Sequence, residues 1–500
     1  MAETTTVDRS SAPVDEHSDN PHHATRWWIL AIIGLAQLMV VLDATIVNIA
    51  LPSAQEALGF SNDNRQWIVT GYALAFGSLL LLGGRLSDLV GRRPMFIVGL
   101  IGFAAASAVG GAATSFEMLV GARVAQGVFG ALLAPAALSL LTITFTNAAE
   151  RAKAFAIYGA IAGGGGAIGL ILGGTLTEYL SWRWCLYVNV PLALIAVLGA
   201  VILLKAQAKP EDAKGIDVPG TVIVVAGLVS FVYGLASAES DGWGATSTLV
   251  FIFAGLGLLA LFAVVESRVK DPLLPLHIVW DRTRGAAFLV VAFVGIGLFA
   301  VFLFLTYYVS LTLGYSPVKT GFAFVPMILG IMVTATSTSG LVARTGPRIP
   351  GFIGMLLAAV GMVLFAQLTV DSTYVANILP GLIITGIGIG LSMAPAFGAS
   401  TSGVDGEHAG VASASVNTFQ QIGGSIGTAV LSAFAATATT NYLDGKTPSA
   451  ANQALAAVEG YTTVFWWAAG IFVVGAIICG ALYRSGPIAI DPDAAPVVGH

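Results

Sequence analysis

The chain has 500 residues, 56% hydrophobic and only 10% charged; soluble globular proteins carry roughly 25% charged residues, so an ordinary soluble domain is excluded. A net charge of −5 with no Lys/Arg-rich block excludes a nucleic-acid partner. The charge sits in short islands between apolar stretches long enough to cross a bilayer, which takes about 20 residues. Every backbone amide in such a stretch must be satisfied internally, so the spans are expected to be helices. Alternating ~10-residue segments of a membrane barrel are not seen.

In chain order, residues 1–25 are polar and rich in Ser, Thr, Asp and Pro. They lack the basic-then-apolar order of a signal peptide and read as a disordered tail. His22 and His23 are a His pair in that floppy tail and are read as non-metal. Fourteen spans follow, at 27–51, 66–84, 95–115, 117–144, 155–180, 186–204, 218–237, 246–265, 285–311, 319–341, 350–369, 376–398, 409–436 and 461–483. Those at 319–341 and 409–436 are unusually rich in Ser, Thr and Gly. The expected fold is an all-α membrane protein with 14 transmembrane helices. Six-helix bundles at 26–205 and 271–484 flank an inserted helix pair at 206–270, with tails at 1–25 and 485–500.

With the amino terminus inside, 17 of the 22 Lys and Arg fall in cytoplasmic segments. The outer loops hold Arg65, Arg183, Lys319 and Lys446, and Arg123 lies within a span. This positive-inside bias puts both termini in the cytoplasm. Trp27, Trp28, Trp67, Trp182, Trp184, Trp280, Trp466 and Trp467 fall near span ends, where indoles favour the interface. Cys185, expected in an outer loop, and Cys479, in the last span, are not expected to form a disulfide.

The segment from Gly84 to Arg93, expected as a loop between spans two and three, is echoed between spans ten and eleven. Aligned on Gly91 and Gly346, Leu86 matches Leu341 and Arg93 matches Arg348, while Asp88 becomes Ala343. Matching positions in two six-helix halves are what alternating access by rocking halves needs. Within the loop, Gly91 suits a tight turn, Asp88 can cap a helix or pair with an arginine, and Arg92 and Arg93 follow the charge bias.

Two charges stand clearly inside spans, Asp43 in the first and Arg123 in the fourth. Each costs roughly 2.5–3.5 kcal/mol to insert. Counted from the outer span ends at 1.5 Å per residue, Asp43 is about 12 Å deep and Arg123 about 10 Å deep. They can therefore meet in one network, either as a proton-carrying acid that Arg123 holds ionised when close, or as a static ion pair. Gln126 and Asn48 are candidate polar neighbours, equally open to plain helix–helix bonding. In span five, glycines at 159 and 163, then 165, 169 and 173, give a smooth face for close packing or sliding. Gly164-x-Gly166-x-x-Gly169, a dinucleotide pattern, lies in a span with no strand before it and is discounted.

Together these residues resemble the major facilitator superfamily, in its fourteen-helix drug:proton antiporter branch. Leu42 to Pro52 resembles the branch's first-helix motif, and Gly84 to Arg93 the superfamily's loop between helices two and three. Arg123 to Gly127 fits the fourth-helix motif, Ser181 to Trp184 with Asn189-Val-Pro191 the turn before helix six, and Asp271 to Leu276 the segment before helix nine. The likeness spans residues 27–483. It implies proton coupling by Asp43, Arg123 and Gln126, and a cytoplasmic gate of Gly84, Asp88, Gly91, Arg92 and Arg93. It also implies an antiporter-type glycine helix with Gly163, Gly169, Gly173 and Gly174. One position departs: Leu170 stands where the glycine helix usually has Pro, so a bend there is expected to be weaker.

The resemblance implies a proton-driven exporter of small amphipathic compounds, monomeric in a bacterial inner membrane, with no cofactor or metal and no enzymatic activity. No acid is seen in spans nine to fourteen, which argues against divalent cationic drugs. Export of one lipid or metabolite, or nutrient uptake, stay open. A membrane enzyme is the distant rival: Gly423-Gly-Ser425-Ile-Gly427 matches a nucleophile-elbow pattern but lies in a predicted helix. Gly445-Lys446-Thr447 resembles the end of a phosphate loop, but Thr440 stands where its first glycine should be. The topology is checked by reporter fusions: one after residue 445 should read periplasmic and one near 210 cytoplasmic, and the reverse pattern would contradict it.

Overall fold

The computed structural model describes residues 24–61, 64–145, 148–205, 217–238, 240–270, 272–401, 404, 409–447, 449–484 and 486. Among the described residues, fourteen helices are long and apolar enough to cross a membrane. We number them α1 (Arg26–Leu58), α2 (Gln66–Ser87), α3 (Arg92–Gly111), α4 (Phe116–Thr144), α5 (Lys153–Tyr179), α6 (Trp184–Leu203), α7 (Val218–Ser237), α8 (Thr246–Glu266), α9 (Arg282–Thr312), α10 (Pro317–Thr338), α11 (Arg348–Phe365), α12 (Tyr374–Ser400), α13 (Ala414–Leu443) and α14 (Ala450–Leu482). No strand occurs among the described residues. Fourteen traverses bring both ends of the chain to one face, here the terminal face; the opposite one is the distal face.

Several boundaries differ from expectation, three of them for a plain physical reason. α1 runs past Leu51 through Pro52 to Leu58 and stops at Gly59, whose φ of 68° ends it in a left-handed turn. α14 starts at Ala450, capped by Ser449 Oγ, which accepts the Asn452 N–H at 3.1 Å. In both cases hydropathy marks the apolar stretch, whereas the helix continues through helix-forming polar residues beyond it. The earlier start takes Glu459 into α14, so one acid does lie in spans nine to fourteen, although it is exposed.

The segment 84–93 is likewise not a loop. The helix continues to Val90, and the only interruption is Gly91, at φ 108°, before the next helix starts at Arg92. Gly346, at φ 76°, makes the corresponding break after Thr345. A Cβ is disfavoured at positive φ, so the aligned glycines do the same work in both halves.

The packing repeats with the same offset. α2 packs on α4, α3 on α4 and α6, and α1 on α4, α5 and α6. Eight helices later, α10 packs on α12, α11 on α12 and α14, and α9 on α12, α13 and α14. Two six-helix bundles of like topology result, related by a pseudo-twofold. The seams between them obey it too: α2 meets α13 and α5 meets α10. α7 and α8 pack mainly on each other, and α7 reaches the bundles through α2 and α13.

The α5–α10 seam is a wedge. Near the distal face a methyl group at Gly174 would come within 2.7 Å of Val318 Cα, and Glu178 Oε2 accepts the Val318 N–H at 3.0 Å. Toward the terminal face the clearance grows: 3.5 Å from Gly166 to Ile328 and 3.9 Å from Gly164 to Met332. Tyr307 Oη donates to Gln55 Oε1 at 2.8 Å, and the Arg65 guanidinium lies 4.1 Å over the Tyr307 ring. These contacts close the distal end between the halves.

Gly174→Leu should therefore pry this end apart. In a chain carrying Glu178→Cys and Val318→Cys, oxidative cross-linking should be efficient when Gly174 is kept and fall several-fold when Gly174→Leu is added; equal cross-linking would contradict the seam.

Candidate functional site

The glycine face of α5 seats α1. Methyl groups at Gly165, Gly169 and Gly173 would come within 3.1 Å of Val41 Cγ1, 3.1 Å of Leu42 O and 3.0 Å of Ile46 O. Such close approach needs residues without side chains. With that side of α1 held on α5, Asp43 turns into the bundle toward α3, α4 and α6. Arg123 Nη1 on α4 lies 2.5 Å from Asp43 Oδ2. Asp43 Oδ1 accepts from Gln126 Nε2 at 2.8 Å and from Asn189 Nδ2, on α6, at 2.7 Å. Gln126 Nε2 also donates to Ser107 Oγ, on α3, at 2.6 Å, and Asn189 Nδ2 to the same hydroxyl at 3.3 Å.

Arg123 is held on its other edges. Nη1 donates to Gln126 Oε1 at 2.8 Å and Nε to Ile68 O at 3.2 Å, while the guanidinium sits 4.4 Å from the Tyr72 ring centroid. Five helices thus fix one ion pair, and neither partner is more than 1% exposed. Desolvating each ion costs several kcal/mol, which excellent geometry and filled hydrogen bonds must offset. Two polar atoms of the site are left over: Asn189 Oδ1 and Tyr72 Oη are buried and have no partner among the described residues.

The sequence-predicted residues fare differently. Asp43, Arg123 and Gln126 are brought together. Asn48 is not with them, since its amide donates to Ala44 O at 2.9 Å on its own helix. Asn189 and Ser107 were missed as members; Asn189 already stood in the Asn-Val-Pro pattern before helix six, whereas nothing marks Ser107 among the serines.

Of the proposed gate, Gly91 makes the helix break, and Gly84 lies where a methyl would reach 3.8 Å from Pro135 Cβ. Arg92 is half-buried, and Arg93 Nη2 donates to Val201 O at 3.2 Å. The Asp88 side chain lies outside the described residues. Arg85 has a contact across elements, donating to Pro272 O at 3.3 Å.

The glycines divide between two faces: Gly169 and Gly173 meet α1, Gly174 meets α10, and the surroundings of Gly163 lie outside the described residues. Leu170 is fully buried in an unbroken helix, Ala148–Tyr179, and its backbone lies against Gly321.

Cys185 corrects an expectation. It begins the helical segment of α6 rather than an outer loop, is buried, and packs 3.3 Å from Thr177 Oγ1. The following segment stays helical because Arg183 anchors the turn, donating to Gly111 O and Ala113 O. Both cysteines are free. Ser425 lies on α13, fully buried, with its hydroxyl donating to Gln421 O at 2.9 Å, which is helix packing and not an exposed elbow. His22, His23 and His408 lie outside the described residues.

Two pseudo-symmetric six-helix bundles, an inserted pair and a buried charge network define a multi-pass membrane transporter architecture. The profile of the Major Facilitator Superfamily matches residues 33–428, and the chain belongs to that family. It is 48% identical to the puromycin resistance protein of Streptomyces alboniger over 487 residues, covering 97% of this chain and 96% of the relative. It is 38% identical to the cephamycin export protein of Amycolatopsis lactamdurans, covering 80% and 83%. Among solved structures, a bacterial homologue of the human lysosomal transporter Spinster superposes with a TM-score of 0.62 at 16% identity, covering 91% and 96%.

The network makes an asymmetric stability prediction. Arg123→Leu leaves a buried carboxylate without its ion partner and should cost about 3–5 kcal/mol. Adding Asp43→Asn removes that charge and should recover part of the loss. Thermal unfolding in detergent checks both; a double variant no more stable than Arg123→Leu alone would contradict the pairing.

Proposed function

We propose that this protein exports small amphipathic compounds of antibiotic type in exchange for protons, with Asp43 as the proton carrier. The observation that carries the reading is Asp43 itself, a fully buried acid facing three donors on α4 and α6. Such intramembrane acids mark proton and substrate pathways. The names of the relatives, a puromycin resistance protein and a cephamycin export protein, support antibiotics as the substrate class.

The hydrogen bonding suggests how the acid works. The arrangement suits an ionised Asp43, whose oxygens accept from Arg123, Gln126 and Asn189. A protonated Asp43 needs an acceptor for its O–H instead. Asn189 can supply one, because turning its amide presents the unpartnered Oδ1. Arg123 then leans on Gln126 Oε1 and Ile68 O, which it already contacts. Protonation thereby loosens the hold of α4 on α1. α1 rests on α5, and α5 on α10 across the seam, so the change reaches the interface between halves that alternating access must open and close.

In this reading the terminal face is cytoplasmic, the membrane is the bacterial inner membrane, and Gly84, Asp88, Gly91, Arg92 and Arg93 belong to the inner gate. Gly163, Gly169, Gly173 and Gly174 serve the moving helix. The partners are substrate, protons and lipid, and the protein acts as a monomer.

The test is antibiotic-susceptibility profiling of cells expressing the chain, with and without a protonophore, beside cells expressing Asp43→Asn at equal membrane levels. Asp43→Asn imitates the protonated acid and should insert normally. Resistance should appear with the natural chain, vanish with the protonophore and be absent with Asp43→Asn. Full resistance from Asp43→Asn would refute the assignment.

A further inference from the structure

A pair of buried acids lies far along the chain from Asp43, where the inserted helices meet the terminal face. Asp217 caps α7: its Oδ1 accepts the Gly220 N–H at 2.9 Å, and its carbonyl accepts Thr221 Oγ1 at 2.7 Å. Glu266 is the last residue of α8, and its Oε2 accepts the Leu274 N–H at 3.0 Å. Each carboxyl has one oxygen left over. Asp217 Oδ2 and Glu266 Oε1 are both buried and have no partner among the described residues. The residues are 7% and 3% exposed.

The two spare oxygens crowd one point. A methyl group at Gly220 would lie 2.9 Å from Glu266 Oε1 and closer still to Asp217 Oδ2, so the glycine leaves the room that brings them together. Ionised carboxylates only accept hydrogen bonds. Two of them facing each other in a buried space repel, and such a pair keeps one proton where isolated acids would lose both.

Among the described residues the neighbouring elements bring no cation to neutralise them; Lys209, Lys214, Asp271 and the Asp88 side chain lie outside the described residues. Arg268 and Lys270, next along the chain, are exposed. Arg85, which α2 brings to this corner, donates to Pro272 O. Over their described lengths the other titratable groups are Tyr233 on α7, Tyr72 on α2 and Tyr442 on α13; Tyr72 sits against Arg123 and Tyr442 against Lys446.

We propose that Asp217 and Glu266 share one proton, forming a carboxylic acid–carboxylate bridge that is a second proton-binding site, separate from Asp43. The bridge joins the start of α7 to the end of α8. Through Leu274 it also holds the segment leading into the second bundle, which Arg85 touches from the first. When the proton leaves for water at the terminal face, two anions remain and the hold on residues 272–274 weakens. The site does not depend on the role of Asp43.

Infrared spectroscopy of the full-length protein in liposomes, compared with Glu266→Gln and Asp217→Asn, tests the proposal. At neutral pH the natural chain should show a carboxylic-acid carbonyl absorption that is lost in each variant and kept in Asp43→Asn. The hydrogen-exchange protection of Leu274 should fall as the natural chain is made alkaline and stay level in Glu266→Gln. If one variant fails to insert, the other reads the same loss. An absorption absent from the natural chain, or unchanged in whichever variant folds, overturns the shared proton.

Discussion

The ion pair between Asp43 and Arg123 is the constraint on which the first bundle is built. Two charges sealed from water are tolerated only where geometry is close and further hydrogen bonds support the pair. The surroundings meet that demand: Gln126, Asn189, Ser107, the Ile68 carbonyl and the Tyr72 ring come from α2, α3, α4 and α6. Moving any of these helices changes what the pair sees. The bare face of α5 serves the same end, because α1 can present Asp43 at this depth only while resting directly on another backbone.

The pseudo-twofold repeats the scaffold without repeating the chemistry. α9 to α14 copy the packing of α1 to α6, and Gly346 copies the break at Gly91. Yet Asp88 becomes Ala343, and the buried ion pair belongs to the first bundle alone among the described residues. Under the proposed proton coupling, charge in one half and symmetry in both would let the first bundle respond to a proton while the second moves against it as a counterpart. The wedge between α5 and α10, tight at Gly174 and looser at Gly164, is where the proposed response would become relative movement.

Much of this was legible in the sequence because lipid makes charge expensive. Asp43 and Arg123 stood out as charges in apolar stretches, and helix rise alone put them at one depth. Asn189 and Ser107 were not legible as partners. Neutral polar residues are common in spans and usually bond along or between helices, as Asn48 does with Ala44. Helix ends were misjudged where hydropathy stops before the helix does, at Pro52 to Leu58 and Ala450 to Gly460. Glu266 was passed over for a related reason: at a span end beside Arg268 and Lys270 it resembles a solvated charge, and only the fold buries it under Asp217.

The central claim is that a proton resides on Asp43 and leaves it when substrate binds. Its most direct measurement is proton release into weakly buffered detergent solution when an exported antibiotic is added to the purified protein. The account predicts release from the natural chain that grows with antibiotic occupancy and disappears in Asp43→Asn while the antibiotic still binds. Equal release from both proteins would place the exchanged proton elsewhere and contradict it.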